Sequence, residues 1–298
     1  MVKIKEPNFM CIGATKSATT SLFDILKQHS EIGIPSFKEP HFFDNKDNFN
    51  QGKEWYLKNY FKDLSDKKSI GEFTPTYLSS NHAPERIFRL FGGNMKFIVI
   101  LRNPVDRAYS HFLHSKRDEY ESLDFSDALR MEKERLSDKK DYMSFLRYSY
   151  VYQGKYSIHI SNYLDYFDYN QFHFVLFDNF INNRKNIING ILDFIGVSKE
   201  KSLNTNIFSN QSSVARSRRL KSFLKKDSFL KQCAKFLLPS LVYRQRIRNL
   251  IHASNNKPKE KQPLLKHLRK EIYLEFFKKD IFELEKMLNL NLNHWKEC

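Results

Sequence analysis

Three short apolar runs punctuate the chain, and each gives way to a pattern of helical period. Asn8 to Gly13 reads as a buried strand, followed over Thr20 to Gln28 by a helix with Leu22, Phe23, Ile25 and Leu26 near one face. Lys96 to Leu101 is a second buried strand, with a helical pattern beginning at Val105. Phe172 to Phe177 is a third, followed by a helix around Asn186 to Ile195 that Gly196 should stop. These strands are apolar throughout rather than alternating, as in a parallel sheet covered on both faces. The expected fold is therefore α/β, with ligands at the carboxyl ends of the strands.

Further along, Arg216 to Ile251 is helical and basic in pattern. Leu220, Phe223, Leu224, Leu230, Ala234, Leu237, Leu238 and Leu241 recur at three- and four-residue spacing, and Pro239 should kink or break the run. Asn255 to Pro263 looks like a loop, and Lys266 to Leu288 is a final amphipathic helix ending near Trp295. No repeat or low-complexity linker interrupts the 298 residues, which read as a single domain with a basic helical segment at about 212–262.

Charge sharpens this picture because it is local. The formal net charge is +16, and between Arg216 and Lys270 there are 17 Lys and Arg against two acids, Asp227 and Glu260. Such a concentrated field implies an anionic partner: a nucleotide, an acidic glycan, a membrane surface or nucleic acid. No nucleic-acid-binding module accompanies it, so nucleic acid is not expected. Three scattered cysteines (Cys11, Cys233 and Cys298) suit neither a disulfide framework nor a zinc site. The apolar runs fall far short of the ~20 residues of a membrane-spanning helix. The N-terminus also lacks a signal-peptide pattern, and the expected location is cytoplasmic, with peripheral membrane contact through the basic segment as an option.

The candidate chemistry lies where the first two strands end. After the first come Gly13-Ala14-Thr15-Lys16-Ser17-Ala18-Thr19-Thr20-Ser21 and then a helix. A strand, a turn of small residues and a helix N-terminus make an anion cradle, to which Ser17, Thr19 and Thr20 add hydroxyls. It is not the ordinary nucleotide-triphosphatase loop, which ends in Gly-Lys-Ser/Thr. After the second strand, Arg102 can offer a planar donor fork to a phosphate, and Ser110 lies two helical turns further on. Each motif alone fits a plainer account: a hydroxyl-capped helix for the first, a surface Arg paired with Asp106 for the second. Together they suggest a ligand with two separated phosphates.

Thr15-Lys16-Ser17-Ala18-Thr19-Thr20-Ser21-Leu22 resembles the 5′-phosphosulfate loop of sulfotransferases that use 3′-phosphoadenosine 5′-phosphosulfate (PAPS). Leu101-Arg102-Asn103-Pro104-Val105-Asp106-Arg107-Ala108-Tyr109-Ser110-His111-Phe112 resembles their 3′-phosphate motif. Lys38 to Asp44, Gly71 to Leu78, Gly154 to Tyr156 and Asp280 to Trp295 extend the likeness over nearly the whole chain, towards the heparan-sulfate branch and its bacterial relatives.

The resemblance implies a P-loop-type parallel sheet with helices on both faces and PAPS as co-substrate without a metal. Lys16 would contact the transferring sulfuryl group and the leaving phosphate. Ser17, Ala18, Thr19, Thr20 and Ser21 would hold the 5′-phosphate, and Arg102 and Ser110 the 3′-phosphate. Glu39 aligns with the general base and His41 with a polar neighbour near the acceptor. Asp44 and Thr74 are further pocket candidates. Without the family pattern, Glu39 reads as a loop carboxylate paired with Lys38, and His41 as a ring packed beside Phe42 and Phe43. To act as a base near neutral pH, Glu39 would need burial to raise its pKa from about 4.3.

The activity implied by the resemblance is sulfuryl transfer to an acceptor hydroxyl on a carbohydrate or glycolipid. Some heparan-sulfate enzymes carry Lys immediately before the Thr-Pro pair, where this chain has Phe73, so a heparan-like acceptor is not inherited. The basic region is open to several readings: Arg216, Arg218 or Arg219 closing over the nucleotide, guidance of an acidic acceptor, contact with an anionic membrane, or a solvated helix face. Two rival functions stand beside this one. A P-loop kinase would want a Gly-Lys-Ser/Thr loop and a magnesium-binding Asp, for which only Asp178 is placed. An inactive anion- or membrane-binding module would show damaged motifs, yet Lys16, Glu39, Arg102 and Ser110 are all present.

Overall fold

The computed structural model describes residues 4–36, 38–137, 141–200, 202–207, 213–215, 256–258 and 263–296. The chain divides into two compact units, Met1–Ser209 with Leu264–Cys298, and Asn210–Pro263. In the second unit the described residues are two short antiparallel strands, β6 (Ser213–Ala215) and β7 (Asn256–Pro258). The latter replaces part of the loop expected at Asn255 to Pro263. The basic helical pattern of Arg216 to Ile251 lies outside the described residues.

The first unit is built on a five-stranded sheet in the order β2-β3-β1-β4-β5, parallel at every pairing. Its strands are β1 (Phe9–Gly13), β2 (Ile32–Gly33), β3 (Ser69–Phe73), β4 (Lys96–Leu101) and β5 (Phe172–Leu176). The three strands expected from apolar runs are β1, β4 and β5, of which β4 keeps its expected limits. At the end of β5, Phe177 is the first residue of a helix rather than the last of the strand.

Why these runs are apolar throughout is visible in the alternation. Met10 and Ile12 of β1 join Phe97, Val99 and Leu101 of β4 in one core. Phe9 and Cys11 join Ile98 and Ile100 in a second core on the opposite face. A sheet covered on both sides leaves no solvent face for polar residues.

The helices are α1 (Thr19–Leu26), α2 (Lys46–Phe49), α3 (Gly52–Tyr60), α4 (Ala83–Phe91), α5 (Pro104–Arg117), α6 (Phe125–Arg130), α7 (Glu132–Arg135), α8 (Tyr142–Tyr148), α9 (Tyr156–Leu164), α10 (Phe177–Asn182) and α11 (Arg184–Ile195). Gly196 ends α11 as anticipated, with φ 81° and its N–H bonded to Leu192 O at 3.0 Å. The C-terminal helical run from Lys266 to Leu288 is interrupted by a π turn at Tyr273–Phe277. The second core packs α1 and α11 on one face of the sheet, while α9 and the C-terminal helix pack on the other.

β2 and β3 were not legible as strands. β2 has two residues, and β3 (Ser69-Ile70-Gly71-Glu72-Phe73) interrupts its apolar positions with Gly and Glu. The glycine is required: a Cβ at Gly71 would lie 2.0 Å from the Phe9 ring. Glu72 is tolerated because its buried carboxylate meets three hydroxyls, described below.

Candidate active site

β3, β1 and β4 are neighbours, and the segments leaving their carboxyl ends converge. The turn after β1 opens with Ala14 N–H bonded to Ile100 O at 2.9 Å. Lys16 (φ 64°) and Ala18 (φ 61°) then take left-handed backbone, and Ala18 occupies the N-cap of α1 with no side chain to satisfy the first amides. Ser17 is fully buried, and its Oγ has no hydrogen-bond partner. A buried hydroxyl without a partner beside uncapped helix amides is a cradle shaped for an anion.

Arg102 closes one side of this cradle. Its guanidinium donates to Lys16 O at 2.9 Å and lies over the Phe177 ring, 4.6 Å from the centroid, while its buried Nε is without a partner. Burial lowers its pKa, opposed by Asp106, Tyr156 and Asp178, but an arginine stays charged. Asp106 does not pair with Arg102; it takes Arg269 in a two-pronged ion pair at 2.5 and 2.9 Å. Ser110 is buried on α5, the helix that Asn103 caps through Val105 N–H at 3.0 Å. The remaining family-like segments buttress this corner: Tyr156 Oη donates to Arg102 O (2.9 Å), and Asn103 Nδ2 to Trp295 O (3.1 Å).

The Lys38–Asp44 loop brings the carboxylates. Lys38 Nζ lies 3.0 Å from each of Thr19 Oγ1 and Thr20 Oγ1 and 3.1 Å from Glu39 Oε1. One ammonium thus ties the start of α1 to the candidate base. Glu39 Oε2 is 3.7 Å from His41 Nε2. The other ring nitrogen, Nδ1, faces Asp44 Oδ2 at 3.1 Å, Tyr142 Oη at 2.7 Å and Thr76 Oγ1 at 3.3 Å. Thr76 also donates to Asp44, whose side chain is 1% exposed.

Glu39 does not carry the raised pKa expected of it. Burial pushes its carboxyl up, but the charges of Lys38, His41 and Lys16 outweigh burial and hold it below the ordinary carboxylate range. The pairing with Lys38 and the place beside Thr19 and Thr20 at the start of α1 are one arrangement. For His41, burial works against the charged form, yet Asp44 and Glu39 raise its pKa overall.

Both Glu39 (φ 65°) and His41 (φ 50°) are left-handed without being glycine, a conformation costing about 1–2 kcal/mol per residue. Thr74 turns inward, fully buried, to donate to Glu72. Phe73 lies in the core edge-on to Phe9 and Phe23, at 6.3 and 5.5 Å between centroids.

Several site residues escaped the sequence reading. Thr76 lies in the family-like Gly71–Leu78 segment without a motif of its own, and Tyr142 arrives from α8, about 100 positions from His41, with no motif to announce it. His114 sits one turn beyond Ser110, and its imidazole pKa is held well below normal by burial and then by Lys16, with Glu39 and Asp118 opposing. Arg107, fully buried on α5, donates to Thr15 Oγ1 at 2.9 Å, and Gln153 accepts from the same hydroxyl. Asp178, the one kinase-type candidate, is about half exposed and lies 3.5 Å from His294. Among the described residues, no group of His, Cys, Asp and Glu is arranged to hold a metal ion.

A hydroxyl-rich loop at a helix N-terminus, a guanidinium at the neighbouring strand end and a carboxylate–imidazole cluster beside them sit at the carboxyl edge of a parallel sheet, where α/β folds bind their ligands. Residues 6–272 match the sulfotransferase domain, and the chain belongs to that family. It is similar to the membrane-associated sulfotransferase kil1 of Dictyostelium discoideum, at 36% identity over 40% of this chain and 26% of that one. It is also similar to heparan sulfate glucosamine 3-O-sulfotransferase 5 of Homo sapiens, at 29% identity over 57% of this chain and 47% of the relative. The chain thus spans half or less of the length of these curated relatives. A crystal structure of a sulfotransferase from Alicyclobacillus acidocaldarius superposes over 99% of this chain and 100% of its own, with 25% identity and a TM-score of 0.70.

Proposed function

We propose that the chain transfers a sulfuryl group from PAPS to a hydroxyl of a carbohydrate or glycolipid acceptor, with Glu39 as general base. The observation that carries this reading is the Lys38 bridge between Thr19, Thr20 and Glu39, which sets a carboxylate at the mouth of the anion cradle.

The residues present fit the donor. Ser17 Oγ and Arg102 Nε are buried polar atoms without partners, and an anionic ligand would satisfy both. Ser17, Ala18, Thr19, Thr20 and Ser21 would hold its 5′-phosphate, and Arg102 with Ser110 its 3′-phosphate. When bound, PAPS supplies an activated sulfuryl group. Lys16 and the α1 N-terminus stabilise negative charge where the leaving phosphate would form. Glu39, kept ionised by its cationic neighbours, is a weak base, and it takes the proton as the acceptor oxygen bonds to sulfur and its O–H becomes acidic. His41, held through Nδ1 by Asp44, Thr76 and Tyr142, keeps its other nitrogen towards Glu39 and steadies that carboxylate.

The carbohydrate acceptor is supported by the heparan-sulfate relatives, and buried Phe73 supplies no cation for an acidic sugar at that position. The basic stretch from Arg216 is assigned to anion contact, including an anionic membrane surface, on charge alone. No helix among the described residues is long and apolar enough to cross a membrane. Cytoplasmic residence with peripheral membrane contact remains part of this proposal.

The test is transfer of labelled sulfate from PAPS across neutral sugars, glycolipids and heparan oligosaccharides. Glu39→Gln should lose about 10²–10⁴ in rate while keeping nucleotide affinity. Full transfer by Glu39→Gln would remove it as the base.

A further inference from the structure

The Lys38–Asp44 loop holds two left-handed, non-glycine residues, and such backbone persists only where its surroundings over-determine it. The structure shows what does so. Glu39 N–H donates to Phe73 O at 2.9 Å. Asn48 Nδ2 reaches Pro40 O (3.1 Å) and His41 O (3.0 Å), and Arg86 reaches Phe43 O at 2.7 Å. Two further amides, Phe42 N–H and Phe43 N–H, both donate to the hydroxyl of Tyr77, at 2.9 and 3.3 Å.

Tyr77 is fully buried, and its hydroxyl hydrogen goes to Glu72 Oε2 at 3.3 Å. Glu72 is 1% exposed and also accepts from Tyr56 Oη and Thr74 Oγ1. In its ionised form Glu72 has no hydrogen to give, so all three hydroxyls donate to it, as they do here. In that form it fixes the direction of the Tyr77 O–H and leaves the phenolic oxygen free to accept both loop amides.

We propose that Glu72, acting through Tyr77, is the positioning residue that holds the Glu39–His41 loop in its left-handed form. Glu72 is too deep to touch a ligand, and its part is to set the place of the residues that do. The proposal rests on the reading of Glu39 as base, but its structural half can be tested without that reading.

Glu72→Gln keeps volume and replaces an acceptor with an amide that must point a donor at one of three hydroxyls. Tyr77→Phe deletes the acceptor of the two amides. The measurement is hydrogen–deuterium exchange of the peptide containing Phe42 and Phe43, with Ile98–Ile100 of β4 as the reference. It is paired with calorimetric binding of 3′-phosphoadenosine 5′-phosphate (PAP) and transfer kinetics.

Both variants should raise exchange at Phe42–Phe43 by at least about 10-fold over the β4 reference. Their kcat should fall about 100-fold, as a small misplacement of a reacting group does, with PAP affinity kept. The double variant should be no worse than the poorer single one, because the two residues act in series. Unchanged exchange at Phe42–Phe43, an equal rise in β4, or additive losses in the double variant would overturn the proposal. A wild-type protein that bound no PAP would instead sink the functional reading, while the exchange result would still decide what holds the loop.

Discussion

Lys38 and Glu39 are adjacent in sequence and paired in space, Nζ to Oε1 at 3.1 Å, and the same ammonium also reaches Thr19 and Thr20. The bond joins the two halves of the site, so a change at Lys38 should be felt in both. In Lys38→Met, Glu39 loses its nearest cation and burial is left to raise its pKa. The acid limb of kcat against pH should move to higher pH, and kcat/KM should fall about 10- to 100-fold. A pH–rate profile identical to wild type would contradict this coupling.

Arg102 should act on the donor alone. Its guanidinium lies over Phe177 and spans the cradle to Lys16 O, with Nε aimed at no protein acceptor. Hydrogen bonds to a charged group contribute about 1.5–3 kcal/mol, so Arg102→Ala should weaken PAP binding by about 10- to 100-fold. The loss should be smaller for a nucleotide without the 3′-phosphate. Calorimetry with both ligands checks this, and equal losses would detach Arg102 from the 3′-phosphate.

How far the sequence carried differs between the sheet and the site. β1, β4 and β5 were legible because their runs are almost wholly apolar, interrupted only by Lys96 at the start of β4 and His173 in the half-buried edge strand β5. β3 was not, because Gly71 yields to the Phe9 ring and Glu72 is paid in hydroxyls rather than in apolar area. The loop after β1 and Arg102 announce themselves as local motifs. Tyr142 and Tyr77 meet the base loop only through the fold, and Glu39 has its pKa set by Lys38, His41 and Lys16 together. The pairing with Lys38 was legible in the sequence, whereas the added charges of His41 and Lys16 reach that carboxyl only through the fold.

Glu72 should also appear in the stability profile. Burial raises its pKa to about 7, against the lowering effect of Thr74, Tyr56 and Tyr77, with Asp44 raising it further. A carboxyl raised on folding contributes stability that is present below its unfolded pKa and is lost as pH climbs through the folded value. The expected loss between about pH 5 and 8 is on the order of 2–3 kcal/mol. Glu132, likewise raised to about 7 mainly by burial, adds to the same trend. Denaturant titrations of wild type and Glu72→Gln should therefore diverge with pH, the variant having the shallower fall. Parallel curves would show that Glu72 does not titrate in this range.

Gly71 offers a purely steric check. A Cβ there would lie 2.0 Å from Phe9, inside the second core. Gly71→Ala must displace that ring or open β3 from β1, at a cost of about 1–3 kcal/mol or more. Its Tm should fall by several degrees, whereas Gly52→Ala, with open space around its Cβ position, should cost only its positive-φ strain.

The most direct test of the central claim is calorimetric binding of PAP beside ADP and ATP, without magnesium. The two-anion site predicts micromolar or tighter binding that depends on the 3′-phosphate and weakens in Arg102→Ala. A preference for ATP, or no binding of PAP at all, would contradict a PAPS-dependent sulfotransferase.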